Sequence, residues 1–130
     1  MARQNISSGT KWEPLVGYSR AVRVGPYVHV AGTTAVDASG AVVGSGDAYA
    51  QTAFILRKID DALGQAGASM SQVVRTRLFV TDISRFDEIA QAHGKVFRDI
   101  RPASTMVEVK ALVDPEMLIE IEADAYIGTD

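Results

Sequence analysis

Residues 101–126 read RPASTMVEVKALVDPEMLIEIEADAY, two strands joined by a short acidic connection that contains Pro115. The second strand, 118–125, decides the fold. Side chains in a strand alternate with period two, so Ile119, Ile121, Ala123 and Ala125 share one face. Glu120, Glu122 and Asp124 share the other. The apolar row needs a cover. A strand so apolar on one face is too costly to leave at a sheet edge, and the acidic row on its other face then needs partners.

Working outward, residues 73–81 form the next strand. Val74, Thr76, Leu78 and Val80 line one face, and Arg75, Arg77 and Phe79 the other. Two helices flank it. Asp47 caps a helix running to about Ala66, with Ile55, Ile59, Ala62, Leu63 and Ala66 at helical spacing and Gly67 as its stop. A second helix starts at Asp82 or Ser84 and carries Phe86, Ile89, Ala90, His93, Val96 and Phe97 along one side. Pro102 forbids its continuation and biases Arg101 to an extended conformation. Upstream, 19–24 and 27–31 alternate around the Gly25-Pro26 turn, a hairpin in which Val28 and Val30 face the core. A short strand at 41–43 follows. Residues 1–17 are rich in turn formers and read as irregular. Trp12 either anchors this arm on the core or forms a lid over a pocket.

The order is ββαβαββ, and both helices can cover one face of a single sheet, an α+β sandwich. The valine and isoleucine rows take the helix-covered face. The open face then carries Arg75, Arg77, Phe79, Met106, Glu108, Lys110, Glu120 and Glu122. Charges mixed with Phe and Met suit a surface that meets another copy of the chain, the alternative being a solvated face with paired charges. Arg75 and Arg77 are the expected partners of Glu120 and Glu122.

The chain has 130 residues, 47% hydrophobic and 22% charged, which suits one domain spanning 1–130 with one core. A net charge of -3 offers no basic field for nucleic acid. The absence of cysteine excludes disulfides and thiol nucleophiles and fits a reducing, cytoplasmic setting. The N-terminal MARQNISSGTKWEP lacks the apolar segment of a signal peptide, and no run suits a membrane helix. His29 and His93 are the only histidines. Neither stands at metal-ligand spacing, so no metal and no cofactor is expected. Gly44-Ser45-Gly46 before a helix is either a plain loop or an anion cradle.

An ordered set of motifs resembles the Rid/YjgF family, the reactive-intermediate deaminases also called endoribonuclease L-PSP-like. The motifs are Gly17-Tyr18-Ser19-Arg20-Ala21-Val22, residues 28–32, residues 74–82, Pro102-Ala103, Val107-Glu108-Val109 and Ile119-Glu120-Ile121-Glu122-Ala123. The resemblance implies a chorismate-mutase-like fold and a homotrimer around a central barrel, with small-molecule clefts between subunits. It further implies hydrolysis of enamines and imines with release of ammonia. Glu120 maps to the acid–base carboxylate, Tyr18 to the pocket tyrosine, and Gly32 and Thr33 to the cleft lining. The deaminating members carry an arginine directly after the Pro-Ala pair, where a guanidinium fork fixes the substrate carboxylate. Here that position is Ser104. Arg101 lies three residues upstream and is a poor substitute unless the chain turns at Pro102. Ala90 also stands where those members carry an amide.

Three functions compete on these grounds. The first is an enamine or imine deaminase of altered substrate choice, with Ser104, Thr105 and Arg101 contacting substrate. The second is a non-catalytic trimer that binds a metabolite or partner protein in the same cleft. The third, a ribonuclease, follows only from the family's other name. His93 is either a core or interface residue or a proton carrier in the pocket.

Overall fold

The computed structural model describes residues 2–128. The elements in chain order are β1 (Arg3–Ile6), α1 (Trp12–Val16), β2 (Ala21–Val24), β3 (Tyr27–Thr34), α2 (Ala48–Gln65), β4 (Val73–Val80), α3 (Phe86–Phe97), β5 (Ala103–Glu108) and β6 (Ile119–Tyr126). Single 3-10 turns at Met70–Gln72 and Ile83–Arg85 lead into β4 and α3. Six strands form one sheet in the order β1-β2-β3-β6-β4-β5. All neighbours are antiparallel except β4 and β5, which run parallel. The acidic strand β6 thus sits inside the sheet, as its apolar row demanded. That row is buried throughout, from Ile119 at 0% to Ala125 at 2% exposed.

The α2 helix starts where Asp47 accepts from the Ala50 amide at 2.9 Å, an N-cap that satisfies one free donor. Its buried stripe of Ile55, Leu56, Ile59 and Leu63 meets Val28, Val30, Leu78, Val80, Ile119 and Ile121 of the sheet. Ile89 and Phe97 of α3 join the same core. Among the described residues no helix is long and apolar enough to cross a membrane.

Several expectations are corrected. The arm is not irregular: β1 pairs with β2, and α1 adds five helical residues. Glu13, in α1, is buried and binds the Ser8 amide at 3.2 Å, the Ser8 hydroxyl at 2.6 Å and the Thr10 hydroxyl at 3.0 Å. One buried carboxylate thereby organises turn-forming residues that show no periodicity of their own. The strand at 41–43 reduces to one isolated bridge, Val36 with Val42. In β2 the core side chain is Ala21, opposite Val30, so Val22 and Val24 lie on the open face.

Two strands carry one extra residue each. In β4, Val73 pairs with Ala125 but Arg75 with Asp124, so Val74 is extruded, 45% exposed, and Val73 takes the core position expected for it. In β3, Val30 pairs with Ala123 but Thr33 with Ile121. The strand thereby continues to Thr34, past the end expected at Ala31. Finally, β5 pairs Ser104, Met106 and Glu108 with Thr76, Leu78 and Val80. Directly opposed residues share a face. Met106 and Glu108 therefore project toward the helix side, not the open side, and Met106 packs against the core.

Candidate functional site

The β3 bulge builds the site. It places Gly32 against Glu120 of β6, so closely that a methyl group at position 32 would collide with the Glu120 carboxylate. Arg20, just before β2, braces the bulge from behind. Its guanidinium is buried and donates to Thr33 Oγ1 at 3.1 Å and to the Gly32 carbonyl at 3.1 Å. Lys58 of α2 holds the next turn, donating to the carbonyls of Thr34 at 2.8 Å and Val36 at 3.0 Å. Burial, reinforced by the Arg20 charge, lowers the Lys58 ammonium to about 8.

Glu120 borders a cavity of about 340 Å³ lined by Gly32, Phe79, Val109, Ala111, Leu112 and Glu122. The register sets Phe79, not an arginine, directly opposite Glu120. Arg77 goes to Asp124 at 3.0 Å and Glu122 at 3.5 Å instead. His29 Nδ1 meets the other Asp124 oxygen at 2.8 Å. Among the described residues no donor reaches the Glu120 carboxylate. Burial pushes its pKa up, Arg20 draws it down, and the like charge of Glu122 adds to the rise. The expected pairing of both glutamates with Arg75 and Arg77 therefore holds only for Glu122 with Arg77.

The remaining candidates divide into two groups. Tyr18 borders a separate, open concavity of about 620 Å³ under the N-terminal arm, together with Asn5 and Glu13. Its ring lies 5.6 Å from the guanidinium of Arg20, the residue that braces the bulge. Thr33 is fully buried with its hydroxyl held between Arg20 and the Ala31 carbonyl at 2.8 Å, so it supports the bulge from behind. Trp12 is half-buried in α1 with the Lys11 ammonium 4.7 Å from its ring, and it borders neither concavity.

On the helix side, Thr76 of β4 is fully buried and bridges His93 Nε2 at 2.9 Å and Ser104 Oγ at 2.8 Å. Ser104 and Thr105 are exposed on the edge strand β5. Arg101 adopts φ 60° and its amide donates to the Phe97 carbonyl at 2.8 Å. The chain therefore turns at Arg101 itself, one residue before Pro102. In one chain, Ser104 shares the face of Thr76 and Ala123, whereas Glu120 shares that of Phe79 and Val107. The two candidate centres lie on opposite faces of the sheet.

The family model for Endoribonuclease L-PSP matches residues 9–127. The chain belongs to this family, the Rid/YjgF family. An uncharacterised protein of Streptomyces coelicolor is 34% identical over 98% of this chain and 94% of its own length. The 3-aminoacrylate deaminase RutC of Acinetobacter baylyi is 36% identical over 88% of this chain and 90% of its own. Among solved structures, Rv2704 of Mycobacterium tuberculosis, a member of the YjgF/YER057c/UK114 family, superposes with TM-score 0.87. It is 55% identical, covering 97% of this chain and 100% of that one. The single mixed sheet with its helices is the α+β, chorismate-mutase-like fold of these Rid/YjgF neighbours.

Sequence reasoning about this Rid/YjgF chain passed over Arg20 and Phe79 as site residues. Arg20 stood in the Gly17–Val22 motif, and Phe79 had the right parity on its strand, but only the register brings them to Glu120. Val109, Ala111 and Leu112 come from the connection before β6, which has no periodicity to reveal which side chains point inward. Among the described residues no group of three or more His, Asp or Glu side chains could hold a metal ion.

Proposed function

We propose that this chain is an enamine or imine hydrolase that works as a homotrimer, with its clefts between subunits. The observation that carries the reading is Glu120: a half-buried carboxylate beside Phe79 and Gly32, without an internal donor, its pKa raised by burial. Such a group binds a proton near the working pH better than a solvated glutamate does, which is what proton transfer asks of it.

The steps balance simply. An enamine first takes a proton at carbon and gives one up from nitrogen to become an imine. Glu120 then removes a proton from water as its oxygen bonds to the imine carbon and the C=N electron pair moves to nitrogen. The protonated Glu120 returns its proton to nitrogen. The hydroxyl of the resulting carbinolamine then gives its proton to nitrogen as the C–N bond breaks, so that a carbonyl forms and ammonia leaves. The relative named as a 3-aminoacrylate deaminase supports this class, since an aminoacrylate is an enamine of a carboxylic acid.

The opposite-face arrangement supports a cleft shared between copies, and the family resemblance makes the number of copies three. Ser104 stands where the deaminating members carry their arginine, and only a neighbouring copy can present a Ser104 to the Glu120 face. The open face offers apolar contacts for that neighbour, among them Phe79 and the 42% exposed Val107.

The test is ammonia release from a panel of freshly generated enamines. Glu120→Gln should slow it by about 100-fold or more, the scale of general acid–base catalysis. The wild-type rate should rise with pH through a pKa above 4.5, because the base acts when ionised and burial raises its pKa. An unchanged rate in Glu120→Gln excludes this mechanism. Ligand capture in the cleft without turnover of any enamine would favour the non-catalytic binder instead.

A further inference from the structure

The hydrogen bonds around Thr76 have a direction. A hydroxyl has one proton to give. Thr76 gives its proton to Ser104 Oγ at 2.8 Å. The 2.9 Å contact with His93 must then be a bond that Thr76 accepts, which puts the His93 ring proton on Nε2. Ser104 accepts from Thr76, and among the described residues no acceptor takes its own proton. Three neutral groups thus form a chain of donors, from His93 on α3, through buried Thr76 on β4, to exposed Ser104 on the sheet edge. Phe97 tilts against the His93 ring at 4.7 Å and holds its plane. Burial disfavours the charged imidazolium, so the inner end of the chain stays uncharged.

We propose that His93 and Thr76 are positioning residues that aim the Ser104 proton out of the sheet edge, making a subsite for a neutral carbonyl oxygen, as in an amide or ester, in preference to a carboxylate. The assignment deepens the cleft reading above, since it rests on Ser104 facing the ligand. A carbonyl oxygen that loses one water regains one hydrogen bond here, strengthened by the polarised chain behind it. A carboxylate would leave water with a full charge and two oxygens to satisfy, against one neutral donor. Arg101 is the nearest cation along the strand, but the left-handed turn at its α-carbon redirects the chain just before β5, and its guanidinium has no partner among the described residues.

The experiment compares two probes of the same shape, pyruvamide and pyruvate, by NMR titration of the full-length protein labelled with 15N in histidine. Neither probe has a C=N bond to hydrolyse, so the outcome is independent of whether the protein releases ammonia from any enamine. Pyruvamide should bind roughly three- to tenfold more tightly, the scale of one net hydrogen bond. In the free protein the His93 Nε2 signal should be that of a protonated nitrogen. Ser104→Ala and the near-isosteric Thr76→Val should abolish the preference, as should His93→Leu. His93→Gln, which keeps a donor, should retain part of it. Tighter binding of pyruvate, no binding of either probe, an Nε2 without a proton, or a preference that survives Thr76→Val overturns the proposal.

Discussion

Glu120 and Glu122 stand two residues apart on one strand face, yet Arg77 serves only Glu122 and leaves Glu120 facing Phe79. The alternation that put both acids on one face was plain in the sequence. Which of them lacks a direct ion pair was not, because that depends on a register set by residues elsewhere. Gly32 makes the difference testable. Gly32→Ala should fold normally, since the colliding atoms are the far end of a flexible side chain. It should displace the carboxylate and lower kcat/KM about tenfold or more, because catalytic groups tolerate little misplacement. A variant with wild-type kcat/KM would show that the close approach has no role. Glu13 gives a second outcome at this scale. Its burial alone would raise its pKa, but hydrogen bonds from Ser8, Ser7 and Thr10 outweigh that and hold it at about 2. A depressed carboxylate stabilises the fold above its unfolded pKa near 4.5, and the contribution disappears as pH falls through the folded value. Glu13→Gln should therefore cost about 1–3 kcal/mol at pH 7 by urea unfolding. The gap from wild type should close between pH 4.5 and 2.

At the scale of elements, the helices and the central strands were legible because each has a one-face pattern that survives any choice of neighbour. The two bulges were not. A strand with an inserted residue keeps a period of two on either side, and nothing in 73–80 says which valine is the extra one. Substitution can. Val73 is 3% exposed and Val74 45% exposed. Val73→Ala should destabilise by about 1–3 kcal/mol as a core truncation. Val74→Ala should stay within about 0.5 kcal/mol. Comparable losses at both sites in thermal or urea unfolding would remove the bulge. The face of β5 was inverted for a related reason. Its sequence ASTMVE has no apolar row to settle its parity, so pairing with β4 decides that Met106 turns inward. The arm ahead of β2 was unreadable for another reason, since a buried Glu13 and three hydrogen bonds hold it and no apolar period does.

For the whole molecule, the proposed trimer predicts a particle three times the 13.9 kDa chain mass in light scattering. Val107→Glu places a charge on the open face of the edge strand, opposite Phe79. It should shift the particle toward 13.9 kDa and remove enamine turnover together with assembly, while far-ultraviolet circular dichroism stays native. A wild-type chain that runs as a monomer at micromolar concentration, with turnover intact, would refute the shared cleft. The same geometry explains why Ser104 and Glu120 could be named from the sequence without their relation being visible. They lie on opposite faces of one sheet, and in the proposed trimer they meet only between two chains.

The sequence alone determined the elements with a strong period: β6 as an interior strand, α2 and α3 as one-sided helices, and the ordered motifs of the Rid/YjgF family. These are consequences of local alternation, which each segment carries within itself. Tertiary structure alone decided the register of β6 against β4, the insertions at Gly32 and Val74, the face of β5 and the contacts of Thr76 with His93 and Ser104. Each of these is a contact between residues far apart in the chain, and its free energy comes from the packing of the whole core.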